Sequence, residues 1–175
     1  IEAYTQVIAL DPRSDRAYSN RGLVFQQMGR HDLAMADYTA AVMLQAGDGA
    51  VYVNRGSLFQ KMGKLDEALA DYNHIIAEEP NNLNALNNRG SLYLQKGELA
   101  LAQADFEKAV GINRDFAAGY INLGTVYHQQ GRRDQALETY SLALDIQPDN
   151  PSALYNRALV YIEEKNFEPA LKDLN

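Results

Sequence analysis

The sequence predicts an all-α protein, a solenoid of antiparallel helix pairs stacked one on the next. Three observations carry that prediction. The tripeptide Asn-Arg-Gly stands at Asn20-Arg21-Gly22, Asn54-Arg55-Gly56 and Asn88-Arg89-Gly90, each copy starting 34 residues after the last. The rest of the chain aligns on the same period without an insertion. Within each period, large apolar residues recur three and four apart, the spacing of an amphipathic helix.

A frame begun at Asp15 restarts at Gly49, Leu83, Ala117 and Pro151. Position 8 of the frame reads Gly22, Gly56, Gly90, Gly124 and Ala158. Position 11 is aromatic throughout: Phe25, Phe59, Tyr93, Tyr127 and Tyr161. Position 20 is Ala34, Ala68, Ala102, Ala136 and Ala170, and position 24 is Tyr38, Tyr72, Phe106, Tyr140 and Leu174. The expected organisation is one array over residues 1–175. Residues 1–14 are the second helix of a partial unit, 15–48, 49–82, 83–116 and 117–150 are full units, and 151–175 is a truncated one. Repeats of this length cannot bury their apolar faces alone, so they stack and share one core.

Each unit reads as two helices with a break between them. Gly29, Gly63, Gly97 and Gly131 fall at position 15, where a helix can end in a left-handed residue at little cost. Pro12, Pro80 and Pro148 mark the end of second helices, while Pro151 and Pro169 fall in expected first turns, where a missing N–H does no harm. Small residues at positions 8 and 20 are expected to face each other where the two helices approach. The Gly47-Asp48-Gly49 junction lacks the proline and is expected to be the soft joint between units. The chain opens at Ile1 inside one apolar-periodic stretch and stops at Asn175 inside another, so it reads as a fragment with uncapped ends, from which end-to-end self-association is expected.

Composition excludes several classes of function. There is no Cys, which removes disulfides, thiolate metal sites and thiol nucleophiles. The net charge of −7 argues against nucleic acid, whose phosphates call for a basic surface. No apolar run approaches the roughly 20 residues that span a bilayer, so no membrane insertion and a cytoplasmic location are expected. His31, His74 and His128 occupy different positions of different units, which disfavours a metal site. The stretch GSLFQKMGK (56–64) has six residues between its glycines and Leu65 after the Lys, so it is the repeat's own glycine pair rather than a phosphate loop. Met28 and Met62 read as core filler. No nucleophile, base and orienting group can be assembled, so neither enzymatic activity nor a cofactor is expected.

The Arg of the tripeptide has a companion. Position 7 is Arg21, Arg55, Arg89 and Arg157, and position 23 is Asp37, Asp71, Asp105 and Asp173 in those same units. The fourth unit has Leu123 and Thr139 instead. The two types come and go together, which predicts the helix-to-helix ion pairs Arg21–Asp37, Arg55–Asp71, Arg89–Asp105 and Arg157–Asp173. Buried pairs of this kind fix register more reliably than they add stability. The rival reading is a basic stripe that grips acidic ligands.

A bulky residue at position 4, Gly at 8, an aromatic at 11, Ala at 20, an aromatic at 24 and Pro at 32 resemble the tetratricopeptide repeat. Tyr18, Gly22, Phe25, Ala34, Tyr38 and Ala41 match in the first full unit; Tyr120, Gly124, Tyr127, Ala136, Tyr140, Ala143 and Pro148 match in the fourth. Departures are mild: Ala46 and Arg114 replace Pro, Ile75 replaces Ala, and Ala158 replaces Gly. The resemblance implies a right-handed superhelix whose inner, concave face is lined by the first helix of each unit.

That implied face gives the Asn of the tripeptide a role. Position 6 is Asn20, Asn54, Asn88, Asn122 and Asn156 without exception, although Asn is a mediocre helix residue. A carboxamide carries two donors and an acceptor, the complement of a peptide bond. With first helices on the order of 10 Å apart and an extended chain rising about 3.3 Å per residue, a bound peptide would meet one Asn every three residues or so. The row is similar to the asparagine ladder of the O-GlcNAc transferase superhelix, whose catalytic domain has no counterpart here. The expected partner is therefore an extended peptide segment of another protein, held by these Asn residues with Gln27, Lys61, Gln95, His128 and Gln129 alongside. Position 5 (Ser19, Val53, Asn87, Ile121, Tyr155) offers no base to clamp a terminal carboxylate. Alternatives are that each Asn merely bonds a neighbouring helix, that the chain is a scaffold using its convex face or ends, or that it is a regulatory or targeting module of a larger enzyme.

Overall fold

The computed structural model describes residues 1–44 and 49–175, and these form eleven α-helices. They are α1 (Glu2–Leu10), α2 (Asp15–Gln27), α3 (His31–Met43), α4 (Ala50–Lys61), α5 (Leu65–Glu78), α6 (Leu83–Gln95), α7 (Leu99–Ile112), α8 (Ala117–Gln129), α9 (Arg133–Ile146), α10 (Pro151–Glu163) and α11 (Phe167–Leu174). The chain divides into two compact bodies, residues 1–88 and 89–175, so α6 begins in one and ends in the other. In the first body, α1 packs on α2, α2 on α3, α3 on α4 and α4 on α5. In the second, α7 packs on α8, α8 on α9, α9 on α10 and α10 on α11.

Every first helix ends in the same way. The N–H of Arg30 reaches the carbonyl of Phe25 (2.9 Å), and the N–H of Gly29 that of Gln26 (3.0 Å). The same two bonds recur at Lys64, Glu98, Arg132 and Asn166. This paired closure satisfies carbonyls left over at the helix end and requires a left-handed residue. Four glycines meet the requirement with φ between 72° and 76°; in the last unit Lys165 takes the conformation at φ 60°. Pro151 sits at the first turn of α10, and the Asn150 carboxamide oxygen accepts from the N–H groups of Ser152 and Ala153.

The position-8 glycines are a packing device, and their partner differs from the expected one. A Cβ on Gly56 would lie 2.7 Å from Cε1 of Tyr72, and one on Gly90 2.7 Å from Cε1 of Phe106. The first helix therefore rests chiefly on the aromatic ring at position 24 of its own unit, and the small residue at position 20 is secondary. In the last unit position 24 is Leu174, and there Ala158 is accommodated. Around these rings the first body buries Phe25, Ala34, Tyr38, Val51 and Leu58 in one cluster, and the second buries Phe106, Leu123, Val126, Tyr140 and Val160. A residue such as Leu58, 0% exposed, contributes roughly 1.5–3 kcal/mol through burial.

Met28 and Met62 are not core filler. They are 57% and 39% exposed, because they occupy the helix C-caps just before the left-handed glycines. Ala46 and the expected soft joint at Gly47-Asp48 lie outside the described residues. Among the described residues, no helix is long and apolar enough to cross a membrane.

Candidate functional site: the face of the first helices

The first helices of successive units are α2, α4, α6, α8 and α10. In body 1–88, α2 touches α4; in body 89–175, α8 touches α10. Three positions of each first helix matter here: the Arg of position 7, called the ionic layer, the Asn of position 6, called the carboxamide row, and the last residue of the helix, called the terminal row, each taken within its own body.

In the ionic layer, each position-7 Arg meets the Asp of its own unit through two parallel hydrogen bonds. Nε and Nη2 of Arg21 lie 2.8 Å from the two carboxylate oxygens of Asp37. The corresponding distances are 2.8 and 2.6 Å for Arg55–Asp71, 2.8 and 2.7 Å for Arg89–Asp105, and 2.7 and 2.6 Å for Arg157–Asp173. The Asp residues are buried. The guanidinium of Arg55 also lies between the rings of Tyr52 and Phe59, at 5.8 and 5.7 Å, and Arg21 lies likewise between Tyr18 and Phe25. Hydrogen bonding to Asp raises all four guanidinium pKa values against the opposing effect of burial.

A third contact reaches back one unit. Nη1 of Arg21 donates to the Thr5 hydroxyl (3.1 Å) and Nη1 of Arg157 to the Ser141 hydroxyl (3.0 Å). Each of these Arg side chains thus joins three helices. In the fourth unit Leu123 is buried instead, and the Thr139 hydroxyl turns to the Gln135 carbonyl.

In the carboxamide row, Asn20 is exposed, whereas Asn54, Asn88, Asn122 and Asn156 are half-buried. The buried phenols at position 24 bond other side chains of the first helices. Tyr72 donates to Oε1 of Gln60 at 3.4 Å. Tyr38 donates to Oε1 of Gln26 at 2.8 Å, and Tyr140 shares a hydrogen bond with Thr125 at 3.2 Å. Burial pushes the Tyr38 phenol up to about 12, helped by the Asp37 charge. Burial raises Tyr72 and Tyr140 as well.

The terminal row is the last residue of each first helix. Gln27, Lys61, Gln95, Gln129 and Glu163 are all exposed. His128 is half-buried, and its Nε2 lies 3.0 Å from Oε1 of Glu163, whose other oxygen accepts from Nε of Arg133 at 3.2 Å. The His128 hydrogen bond, followed by Arg133, holds the Glu163 carboxyl below the usual range.

The five first helices carry six cations and two carboxylates. Four of the cations are the paired Arg residues, which leaves Arg16 and Lys61 against Asp15 and Glu163. Most of the acidic residues lie instead on the second helices, among them Asp32, Asp66, Glu67, Glu138 and Asp145.

Two features had not been expected. The Tyr127 hydroxyl donates to Glu107 (3.1 Å) beneath the guanidinium of Arg132, 4.4 Å from the ring. An open polar cleft of about 340 Å³ lies beside them, lined by Gly131, Arg132, Arg133, Asp134, Gln135 and Glu164. None of the expected site residues lines it. Among the described residues, no group of three or more His, Cys, Asp or Glu is placed to hold a metal ion.

Family models described as "Tetratricopeptide repeat" match residues 15–48 and 53–120, and one described as "TPR repeat" matches 126–164. No curated protein sequence matches the chain. Among solved structures, YrrB, described as a TPR protein with an unusual peptide-binding site, is similar with a TM-score of 0.76 and 21% identity over 98% of this chain and 89% of that one. Residues 41 to the end of MamA from Desulfovibrio magneticus RS-1 give a TM-score of 0.80 and 17% identity over 91% and 90%. A chain of the APC/C hetero-tetramer Cut9-Hcn1 gives 0.85 and 23% over 98% of this chain and 34% of that one. At these identities the likeness is one of fold.

Proposed function

Because the chain belongs to the tetratricopeptide repeat family, a family of protein-interaction modules, we propose that it binds an extended segment of a partner protein along its first helices, through the position-6 carboxamides. The observation that carries this reading is that every first helix carries Asn at position 6, Asn20, Asn54 and Asn88 in body 1–88 and Asn122 and Asn156 in body 89–175, on helices whose charges are mostly paired. Carboxamides bind peptide N–H and C=O groups whatever the side chains between them. Gln27, Lys61, Gln95 and Gln129 would border the segment. With the position-7 Arg residues held by Asp, few cations remain to grip an acidic tail, and an internal, uncharged segment suits the face better than a charged terminus. The solved likeness described as having a peptide-binding site supports the same reading.

The test is a variant with Asn20, Asn54 and Asn88 changed to Ala. Peptides selected on the wild-type chain from a random end-capped pool should rebind the variant at least about tenfold more weakly, since each lost bond is worth roughly 1 kcal/mol. Its helical circular dichroism should be unchanged. Equal binding by the folded variant would move recognition to another surface and favour a scaffold.

A further inference from the structure

We infer that Glu163 is a specificity-determining residue: its carboxylate fills a seat in body 89–175 where His128 and Arg133 would hold an acidic group of a bound segment, and so turns acidic segments away. This rests on the segment lying along the first helices.

Three helices meet on this carboxylate. His128 is the last residue but one of α8, Arg133 opens α9 and Glu163 ends α10. Nε2 of His128 lies 3.0 Å from Oε1 of Glu163, and Nε of Arg133 donates to Oε2 at 3.2 Å. Each oxygen thus has its own nitrogen partner, from a different helix, and such charge-assisted bonds are how a protein grips an acidic ligand. The seat is open to solvent, since the side chains of His128, Arg133 and Glu163 are 23%, 48% and 43% exposed. A pair this wet adds little to stability, so holding the fold together does not account for it.

The repeat confines the arrangement to one joint. Where α8 has His128, the other first helices carry Gln26, Gln60, Leu94 and Ile162, and only α10 ends in an acid. Seat and occupant therefore stand on α8 and α10, first helices that touch. The neighbouring Arg132 is already engaged, stacked on Tyr127 and bonded to Gln103 and Gln130. Asp134 and Glu164 line the adjoining cleft with Arg133 and add to the repulsion of an acidic guest. A carboxylate fixed on α10 competes as a tethered group, at an effective concentration of about millimolar or higher. A guest acid meeting two solvated donors cannot displace it, whereas an uncharged segment passes without contest.

The experiment uses the full chain at about pH 6, where imidazoles are largely charged. It compares wild type, Glu163→Ala, and Glu163→Ala combined with His128→Gln, each with unchanged helical circular dichroism. The small probe is acetylglutamate methylamide, with acetylglutamine methylamide as its neutral twin, and the His128 ring and Arg133 Nε signals report binding. The acidic probe should bind Glu163→Ala about tenfold more tightly than wild type, the worth of one hydrogen bond to a charged group. The neutral twin should show no such gain, and adding His128→Gln should remove most of it. Peptides selected on Glu163→Ala from a random end-capped pool should carry Asp or Glu at one fixed place, and those selected on wild type should not. An acidic probe that binds Glu163→Ala no better than wild type would overturn the inference. So would a gain with the probe but no acid in the selected peptides, which would put the seat off the path of the segment. Undiminished binding of the wild-type peptides by Asn156→Ala would remove the carboxamide reading alone, and acidic peptides selected on Glu163→Ala would still uphold the inference.

Discussion

Replacing Asp71 by Ala strands a guanidinium. Arg55 would lose hydrogen bonds of 2.8 and 2.6 Å while remaining between Tyr52 and Phe59, with only 16% of its side chain exposed. Removing one partner of a buried ion pair costs about 3–5 kcal/mol, because the other charge stays behind uncompensated. Residual access of water to Arg55 favours the lower end, about 3 kcal/mol. At about 2–4 °C per kcal/mol for a chain of this length, Tm should fall by about 6–12 °C. The double replacement Arg55→Leu with Asp71→Thr copies what stands at Leu123 and Thr139. It leaves no stranded charge and should cost under about 1 kcal/mol more than a volume-conserving core exchange. Urea denaturation followed by circular dichroism measures both variants, with exposed Lys108→Ala as the reference. Hydrogen exchange should localise the loss to α4 and α5, since stacked repeats sum local stabilities. A cost below about 1 kcal/mol for Asp71→Ala, or a double variant as damaged as the single one, would refute the argument that the pair matters through its uncompensated charge.

Alkaline pH should unfold the protein in a defined window. The Tyr38 phenol is pushed up to about 12, and Tyr72, Tyr127 and Tyr140 are also raised, in each case chiefly by burial. Their contribution is complete below the unfolded value near 10 and is lost as pH rises from there through the folded values. Phenolate absorbance that reaches the value for all eleven tyrosines near pH 10 with the circular dichroism intact would contradict this. Gly56→Ala drives a methyl against the Tyr72 ring and should cost about 1–3 kcal/mol by urea denaturation; a neutral result would show that the two helices can separate freely. Lys165→Gly should stabilise the last helix pair by up to about 1 kcal/mol, because a left-handed φ of 60° strains a side-chain-bearing residue; no gain in Tm would mean that the turn carries no strain.

Much of the architecture left a trace in the sequence because it rests on steric facts that repeat. Gly at position 15 marks a left-handed cap, and Gly at position 8 marks the seat of an aromatic ring. Even the exception is paired, since Ala158 comes with Leu174. The Arg–Asp contacts were legible for the same reason: two residue types that change together in the fourth unit point to each other. What escaped had no constant residue type. The third contact of the Arg ends on Thr5 in one unit and Ser141 in another. His128 finds Glu163 only because an acid happens to end α10, where other units have Gln or Lys. Lys165 holds a left-handed turn without the glycine that would announce it.

The central claim concerns where a guest chain lies. The most direct measurement is a titration of the isotope-labelled chain with a peptide selected on it, following the side-chain amide signals. The account predicts that the signals of Asn20, Asn54, Asn88, Asn122 and Asn156 move together and saturate at one concentration, while those of Gln103 and Asn175 stay still. Movement confined to the second helices, with the five carboxamides silent, would contradict it.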